Sequence, residues 1–301
     1  MSQRLAAAMA EAAESVEAAL RDLLPHPAGH TARLDDALLY ACLGGGKRLR
    51  PLLVLAGADL FGVPRAQSLR AAAAIEMLHC YSLAHDDLPC MDNDDLRRGR
   101  PTLHKAFDEA TAVLAGDGLQ AQAFAILADP ATHSDAAIRV ELIAALAQAA
   151  GPRGMVGGQA IDLEAERLAE AGKRMDMAEI AQLQALKTGA LIGFSAEAGA
   201  ILGGAPETAR TALRSYAADL GLAFQIADDI LDHEGDAALV GKRLGKDAAA
   251  GKATFVGLLG LDGAKARAQA LCASAQSRLS PISGDTGVLH ALAEFVITRR
   301  S

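Results

Sequence analysis

Tryptophan is absent from this chain, and aromatic residues fill only 3% of its 301 positions although 51% are hydrophobic. Alanine therefore supplies much of the apolar total. It is the best helix former, and its small side chain lets helices approach closely. Period-two alternation of Val, Ile and Thr is almost missing, which argues against a β architecture. The four cysteines (Cys42, Cys80, Cys90, Cys272) form no CxxC pair, so zinc is not expected and the chain reads as reduced and intracellular. Positive charge is also in deficit. A net charge of −8 speaks against nucleic-acid binding through a broad basic surface, and any anion must be met by local basic groups or by metal. The N-terminal stretch, with Glu11, Glu14 and Glu17, lacks a secretory pattern, and the longest apolar runs are interrupted by Asp117 and Glu197. The expectation is a soluble cytoplasmic protein with no membrane span.

What is present is helical punctuation. Ten prolines separate stretches with apolar residues at helical spacing, such as 71–88 and 178–202. An interior proline costs about 3 kcal/mol, so these residues mark boundaries; Pro51 and Pro206 suit first-turn positions. The glycine-rich run 151–158 is too short for a linker, and no solenoid repeat is found. The pattern predicts an all-α protein, a single-domain bundle of roughly ten to twelve helices over residues 1–301. Two acidic clusters form a loose internal echo, which suits a central cavity with one cluster on each side.

These clusters carry the chemistry. The first runs Asp86, Asp87, Leu88, Pro89, Cys90, Met91, Asp92, and the second runs Asp228, Asp229, Ile230, Leu231, Asp232. Carboxylates in apolar surroundings need cationic compensation. Asp228 and Asp232 lie within about 40° on one helix face, where like charges repel unless something is bound. Asp86 and Asp92 would stand about 120° apart on a regular helix. Pro89 disfavours helix at Leu88, so the chain is expected to unwind there and fold Asp92 back toward Asp86. Oxygen-only ligands suit a hard cation such as Mg2+, whose shell is completed by waters and substrate phosphate. The spacing and central glycine of a calcium-binding EF-hand loop are missing. A diphosphate is the natural guest of such a site.

Basic groups flank the clusters. Gly44-Gly45-Gly46-Lys47-Arg48-Leu49-Arg50 could form an anion-cradling nest before a helix, or a glycine cap followed by solvated cations. Arg97, Arg98 and Arg100 follow the first cluster closely, and arginine suits diphosphate through its planar fork. Lys187 and Thr188 sit in an apolar helical stretch, where the lysine snorkels or reaches a cavity. Lys242, Lys246 and Lys252 follow the second cluster, and His79 lies on the helix that enters the first. No Ser–His–Asp or Cys–His arrangement is evident.

Taken in order, the segments GGGKRLRP (44–51), MLHCYSLAHDDLPCMDNDDLRRGRPT (77–102), GGQAIDLEAE (157–166), LKTGAL (186–191), FQIADDILDHEGD (224–236) and GKRLGKDAAAGKATF (241–255) resemble the trans-type isoprenyl diphosphate synthases. The likeness is greatest to short-chain members of the farnesyl and geranylgeranyl type. It implies the isoprenoid-synthase fold, a homodimer, and Mg2+-dependent condensation of an allylic diphosphate with isopentenyl diphosphate. It assigns two Mg2+ ions to Asp86 and Asp92 and a third to Asp228, with Asp87, Asp229 and Asp232 in support. Arg97, Lys187, Thr188, Gln225, Lys242 and Lys252 would meet the allylic diphosphate. Lys47, Arg50, His79 and Arg98 would meet isopentenyl diphosphate. Tyr81 and Ser82, five and four residues before Asp86, would limit product length, favouring farnesyl over geranylgeranyl diphosphate.

Asn93 departs from the family's more frequent Asp, and the chain ends in a basic Arg299-Arg300 tail to which the resemblance gives no definite role here. The rivals are a class I terpene cyclase, expected to carry only one such aspartate motif, and a non-catalytic subunit of a synthase, expected to have lost catalytic aspartates.

Overall fold

The computed structural model describes residues 1–173, 175–234 and 254–299. Its helices are α1 (Gln3–Leu23), α2 (Ala32–Cys42), α3 (Leu49–Leu60), α4 (Arg65–Asp86), the single turn α5 (Leu103–Ala106), α6 (Glu109–Ala128), α7 (Ala136–Ala150), α8 (Met155–Glu170), α9 (Met177–Gln184), α10 (Ala190–Leu202), α11 (Glu207–Glu234), α12 (Phe255–Arg278) and α13 (Gly287–Thr298). A π-turn, Ala185–Gly189, joins α9 to α10 without a break. With that run taken as one helix and α5 set aside, eleven helices remain among the described residues, inside the expected range. The sequence pattern gives no sign of the two-residue strands β1 (Leu96–Arg97) and β2 (Arg100–Pro101), paired antiparallel.

The chain divides into two compact units. One comprises Ala7–Ala144 and Ala198–Gly204. Its centre is α4, packed against α3 and α6, with α2 lying on α6. Ala71, Ala72, Ala73, Ala74, Ile75, Met77 and Leu78 are all fully buried, so α4 is enclosed on every side rather than along one stripe. Runs of alanine permit this, because a helix with no large side chains can accept neighbours all round. The start of α6 is sharply set: Asp108 accepts from the Thr111 amide at 2.7 Å and from Arg33 at 2.7 Å. The arginine bond and then the amide bond hold its carboxyl down to about 2.

The other unit comprises Met1–Ala6, Ala145–Glu197 and Ala205–Ser301. Here α11 packs along α12 and α13, and the fully buried Tyr216 donates to the Leu289 carbonyl at 2.8 Å. A capping box of Asp176 and Glu179 starts α9. Glu197 on α10 is buried but accepts from Arg210 at 2.9 Å and Arg214 at 2.6 Å, which offsets the desolvation of its charge.

Two stretches, Glu109–Ala128 and Met177–Leu202, are long and apolar enough to cross a membrane. Within the described fold, 44% and 56% of their apolar windows are buried, as in core helices.

Candidate active site

The first acidic motif sits where α4 ends. Asp86 is its last residue, and the Asp87 amide still bonds back to Leu83 at 3.0 Å. Beyond it the ladder tightens, with Leu88 N–H on the His85 carbonyl at 3.2 Å, and then the chain reverses. The Asp92 amide donates to the Asp86 carbonyl at 2.9 Å, and the Asn93 amide to Leu88 at 3.1 Å. The expected unwinding and return are therefore both found. Asn93 has φ of 50°, a left-handed position that asparagine tolerates well; its backbone, more than its carboxamide, explains that departure.

A tight hairpin follows. Arg98 (φ 54°) and Gly99 (φ 73°) form the turn between β1 and β2, as a primed hairpin turn requires. The hairpin aims Arg97 at Asp87, donating from Nε to both carboxylate oxygens at 2.7 and 2.9 Å. Burial nonetheless raises the Asp87 carboxyl, with Arg97 opposing. Arg98 donates to the Gly45 carbonyl, and Arg100 lies 4.1 Å above the Tyr40 ring. A cavity of about 470 Å³ opens here, lined by Tyr40, Cys80, Asp87, Arg97, Arg98 and Arg100 among others.

The glycine loop before α3 divides its cations. Gly45 (φ 76°), Gly46 (φ 122°) and Arg48 (φ 48°) take left-handed conformations, which turn alternate side chains to different sides. Arg48 is 4% exposed, ion-paired to Glu76 of α4, and donates to the Cys42 carbonyl at 2.6 Å. It thus ties the loop to the helix that bears the first motif, a role that the run of basic residues gives no means of separating from its neighbours'. Arg50 reaches His79 with Nη1 3.3 Å from Nε2. Burial, then Arg50, Arg98 and Arg97, push His79 well below the usual histidine range, so its ring is neutral. Lys47 is half-buried.

Tyr81 is buried in α4, its ring edge-on to His85 with centroids 5.0 Å apart. Its neighbour Ser82 donates to the His79 carbonyl at 2.8 Å.

The second motif lies on the unbroken α11. Asp228 and Asp232 are half-buried, whereas Asp229 is buried and accepts from the Phe255 amide at 2.8 Å and from Gln225 at 3.1 Å. Asp229 thereby fastens the start of α12 to α11. Asp228 accepts from Arg299 at 2.7 Å.

Lys187 and Thr188 ride on the π-turn rather than a regular helix. π-turns recur at functional positions because they re-aim side chains. Two glycines seat this one. A Cβ on Gly158 of α8 would collide with the Lys187 backbone, and one on Gly221 of α11 would stand 3.2 Å from Gly189 Cα. Lys187 donates to Asp162 of α8 at 2.6 Å. A second cavity, about 630 Å³, is lined by Asp162, Lys187, Thr188, Gln225, Asp229 and Thr254 among others. Lys242, Lys246 and Lys252 lie outside the described residues. Sequence reasoning missed Asp162, although it sits within the quoted GGQAIDLEAE segment one helical turn after Gly158.

Among the described residues no three His, Cys, Asp or Glu side chains form a ready-made metal cage. The donors fit Mg2+ all the same. They are carboxylate oxygens only, in clusters of the kind that leaves waters and phosphate to complete an octahedron.

The family model described as polyprenyl synthetase matches residues 31–280. Among curated proteins, the chain is 45% identical to farnesyl diphosphate synthase of Geobacillus stearothermophilus over 290 residues, covering 96% of both. It is 45% identical to farnesyl diphosphate synthase of Escherichia coli over 303 residues, covering 99% of this chain and 98% of that one. Among solved structures, an FPP/GFPP synthase from Zymomonas mobilis matches with a TM-score of 0.90 at 50% identity, covering 98% of this chain and 100% of that chain. The all-α fold, the paired acidic motifs and these matches over nearly the whole length agree, and the chain belongs to the polyprenyl synthetase family.

Proposed function

We propose that this protein is a short-chain trans-prenyl diphosphate synthase that condenses dimethylallyl or geranyl diphosphate with isopentenyl diphosphate, with farnesyl diphosphate as its main product. The single observation that carries this reading from family to site is the return of Asp92 onto Asp86. The 2.9 Å backbone bond brings together two carboxylate-bearing residues that a regular helix would hold apart.

Asp86, Asp92 and Asp228 hold Mg2+, with Asp87, Asp229 and Asp232 in support. Bound Mg2+ supplies neutralisation of the allylic diphosphate as it leaves. Arg97, Lys187, Thr188, Gln225, Lys242 and Lys252 bind and orient that diphosphate. The carbon–oxygen bond breaks with its electron pair going to oxygen, and the cation is delocalised over the allyl group. Lys47, Arg50 and Arg98 hold the diphosphate of isopentenyl diphosphate, and a neutral His79 adds a hydrogen-bonding group without further positive charge. The double bond of that substrate attacks the cation, a new carbon–carbon bond forms, and one proton passes to the released diphosphate. Fixed cations act strongly here because a water-poor site does not screen them. Tyr81, with Ser82 beside it, blocks growth beyond fifteen carbons. The enzyme works as a homodimer, as one domain, in the cytoplasm.

The test is incubation with Mg2+, dimethylallyl diphosphate and labelled isopentenyl diphosphate, followed by chromatography of the dephosphorylated products. A fifteen-carbon alcohol is expected from the native chain, and Tyr81→Ala is expected to shift the products to twenty carbons or more. A twenty-carbon product from the native chain would make it a geranylgeranyl diphosphate synthase, and no condensation would overturn the reading.

A further inference from the structure

The second motif contains an interaction that the functional reading leaves unused. Arg299, on the residue that follows α13, is buried to 4% side-chain exposure, and its Nη2 lies 2.7 Å from Asp228 Oδ1. The same nitrogen lies 3.3 Å from the Phe224 carbonyl, and the guanidinium carbon sits 3.8 Å above the Phe224 ring. Its Nε has no hydrogen-bond partner among the described residues. Burial lowers the guanidinium, and Asp228 works in the opposite direction. Arginine keeps its charge even so, which makes Asp228 the counter-ion of a desolvated cation. The side chain is held in place by the carboxylate, a carbonyl and a ring face, all supplied by one turn of α11.

A guanidinium and a divalent ion compete for the same carboxylate. A metal on Asp228 beside a buried Arg299 would place two like charges together where water screens them little. Asp228 is itself a third exposed, so an incoming ion reaches it from solvent, whereas Arg299 is sealed against α11. We infer that Arg299 is the resident counter-cation of Asp228, occupying the carboxylate in the metal-free protein and leaving it when a divalent ion binds, so that the chain's own C-terminal segment sets the affinity of the second motif for metal. This rests on the reading of Asp228 as a metal ligand.

The experiment is calorimetric titration of the full chain with Mn2+ alone, without substrate. It is repeated for Arg299→Met, Arg299→Lys, Asp228→Asn and the Asp228→Asn/Arg299→Met double variant. Circular dichroism on each confirms folding, and methionine retains the apolar packing on Phe224. Exchange predicts that Arg299→Met tightens Mn2+ binding about tenfold, within the range usual for coupled equilibria. Arg299→Lys should stay near the native affinity, and the gain should vanish in the double variant. If Asp228→Asn weakens Mn2+ binding while Arg299→Met leaves it unchanged or weakens it, the exchange is overturned and Asp228 stands as a ligand. If Asp228→Asn has no effect, the ligand assignment falls and the exchange falls with it.

Discussion

The two acidic motifs reach similar chemistry by opposite backbone routes. On α11 the helix continues through Asp228, Asp229 and Asp232, and periodicity alone puts the first and last on one face. At α4 the helix stops at Asp86, and a hydrogen bond made by Asp92 replaces the periodicity. Their cationic companions differ in the same manner. Arg97 comes from a hairpin ten residues along the chain, whereas Arg299 comes from the far end of the sequence. Local sequence is therefore enough to build the first motif with its partner. The second is local in its carboxylates and non-local in its charge balance.

The largest effect tests whether the motifs are functional equals. Asp86→Ala and Asp228→Ala should each lower kcat at least about a hundredfold, the scale of losing one electrostatic stabiliser of the transition state, and chelation should abolish turnover. Steady-state rates decide this, and near-native turnover by either variant alone would break the equivalence.

Within each motif the middle carboxylates divide differently. Asp229→Ala strands the buried Phe255 amide and should cost about 1–3 kcal/mol of stability. Asp87→Ala leaves Arg97, whose side chain is 32% exposed, able to turn toward water, and should cost less. Urea midpoints of the two variants give the order, and a reversed order would show that the hairpin, not α12, is the more dependent element.

The cationic groups can be separated by substrate. Arg50→Ala should raise KM for isopentenyl diphosphate, each lost charged hydrogen bond being worth about 1.5–3 kcal/mol. Lys187→Ala, on the π-turn, should act on the allylic substrate instead. Initial rates with each substrate varied in turn would reveal exchanged pockets as exchanged effects.

The smallest effect concerns protons. His79 has a folded-state pKa below its ordinary value of 6.5, so the unfolded chain takes up the proton first as pH falls. Its contribution is fully present above about pH 6.5 and is lost as pH drops toward the folded value. His79→Gln should flatten the stability profile between about pH 5 and 7, read from denaturant midpoints, with little change above. An unaltered acid limb would mean that other groups set it.

Much of the fold and of the site is legible in the sequence. The helical class follows from alanine and proline usage, and the fold-back of Asp92 follows from Pro89 and a six-residue spacing, because both are local steric facts. The hairpin at Arg98 and Gly99 is not legible, since a strand of two residues is too short for any alternation to show. The π-turn at Lys187 looks like ordinary helix for a related reason: one extra residue in a turn leaves the apolar periodicity nearly intact.

By itself, then, the sequence determined the secondary-structure class, the two carboxylate clusters and the direction in which each presents its acids. These depend on propensity and on spacing along one segment. Only the tertiary structure decided which cation belongs to which acid. Arg48 goes to Glu76 in the core, Lys187 to Asp162 across two helices, and Arg299 to Asp228 from the end of the chain. The physical reason is that an ion pair is specified by distance and burial. Residues far apart in the sequence acquire those only when packing has brought their helices together.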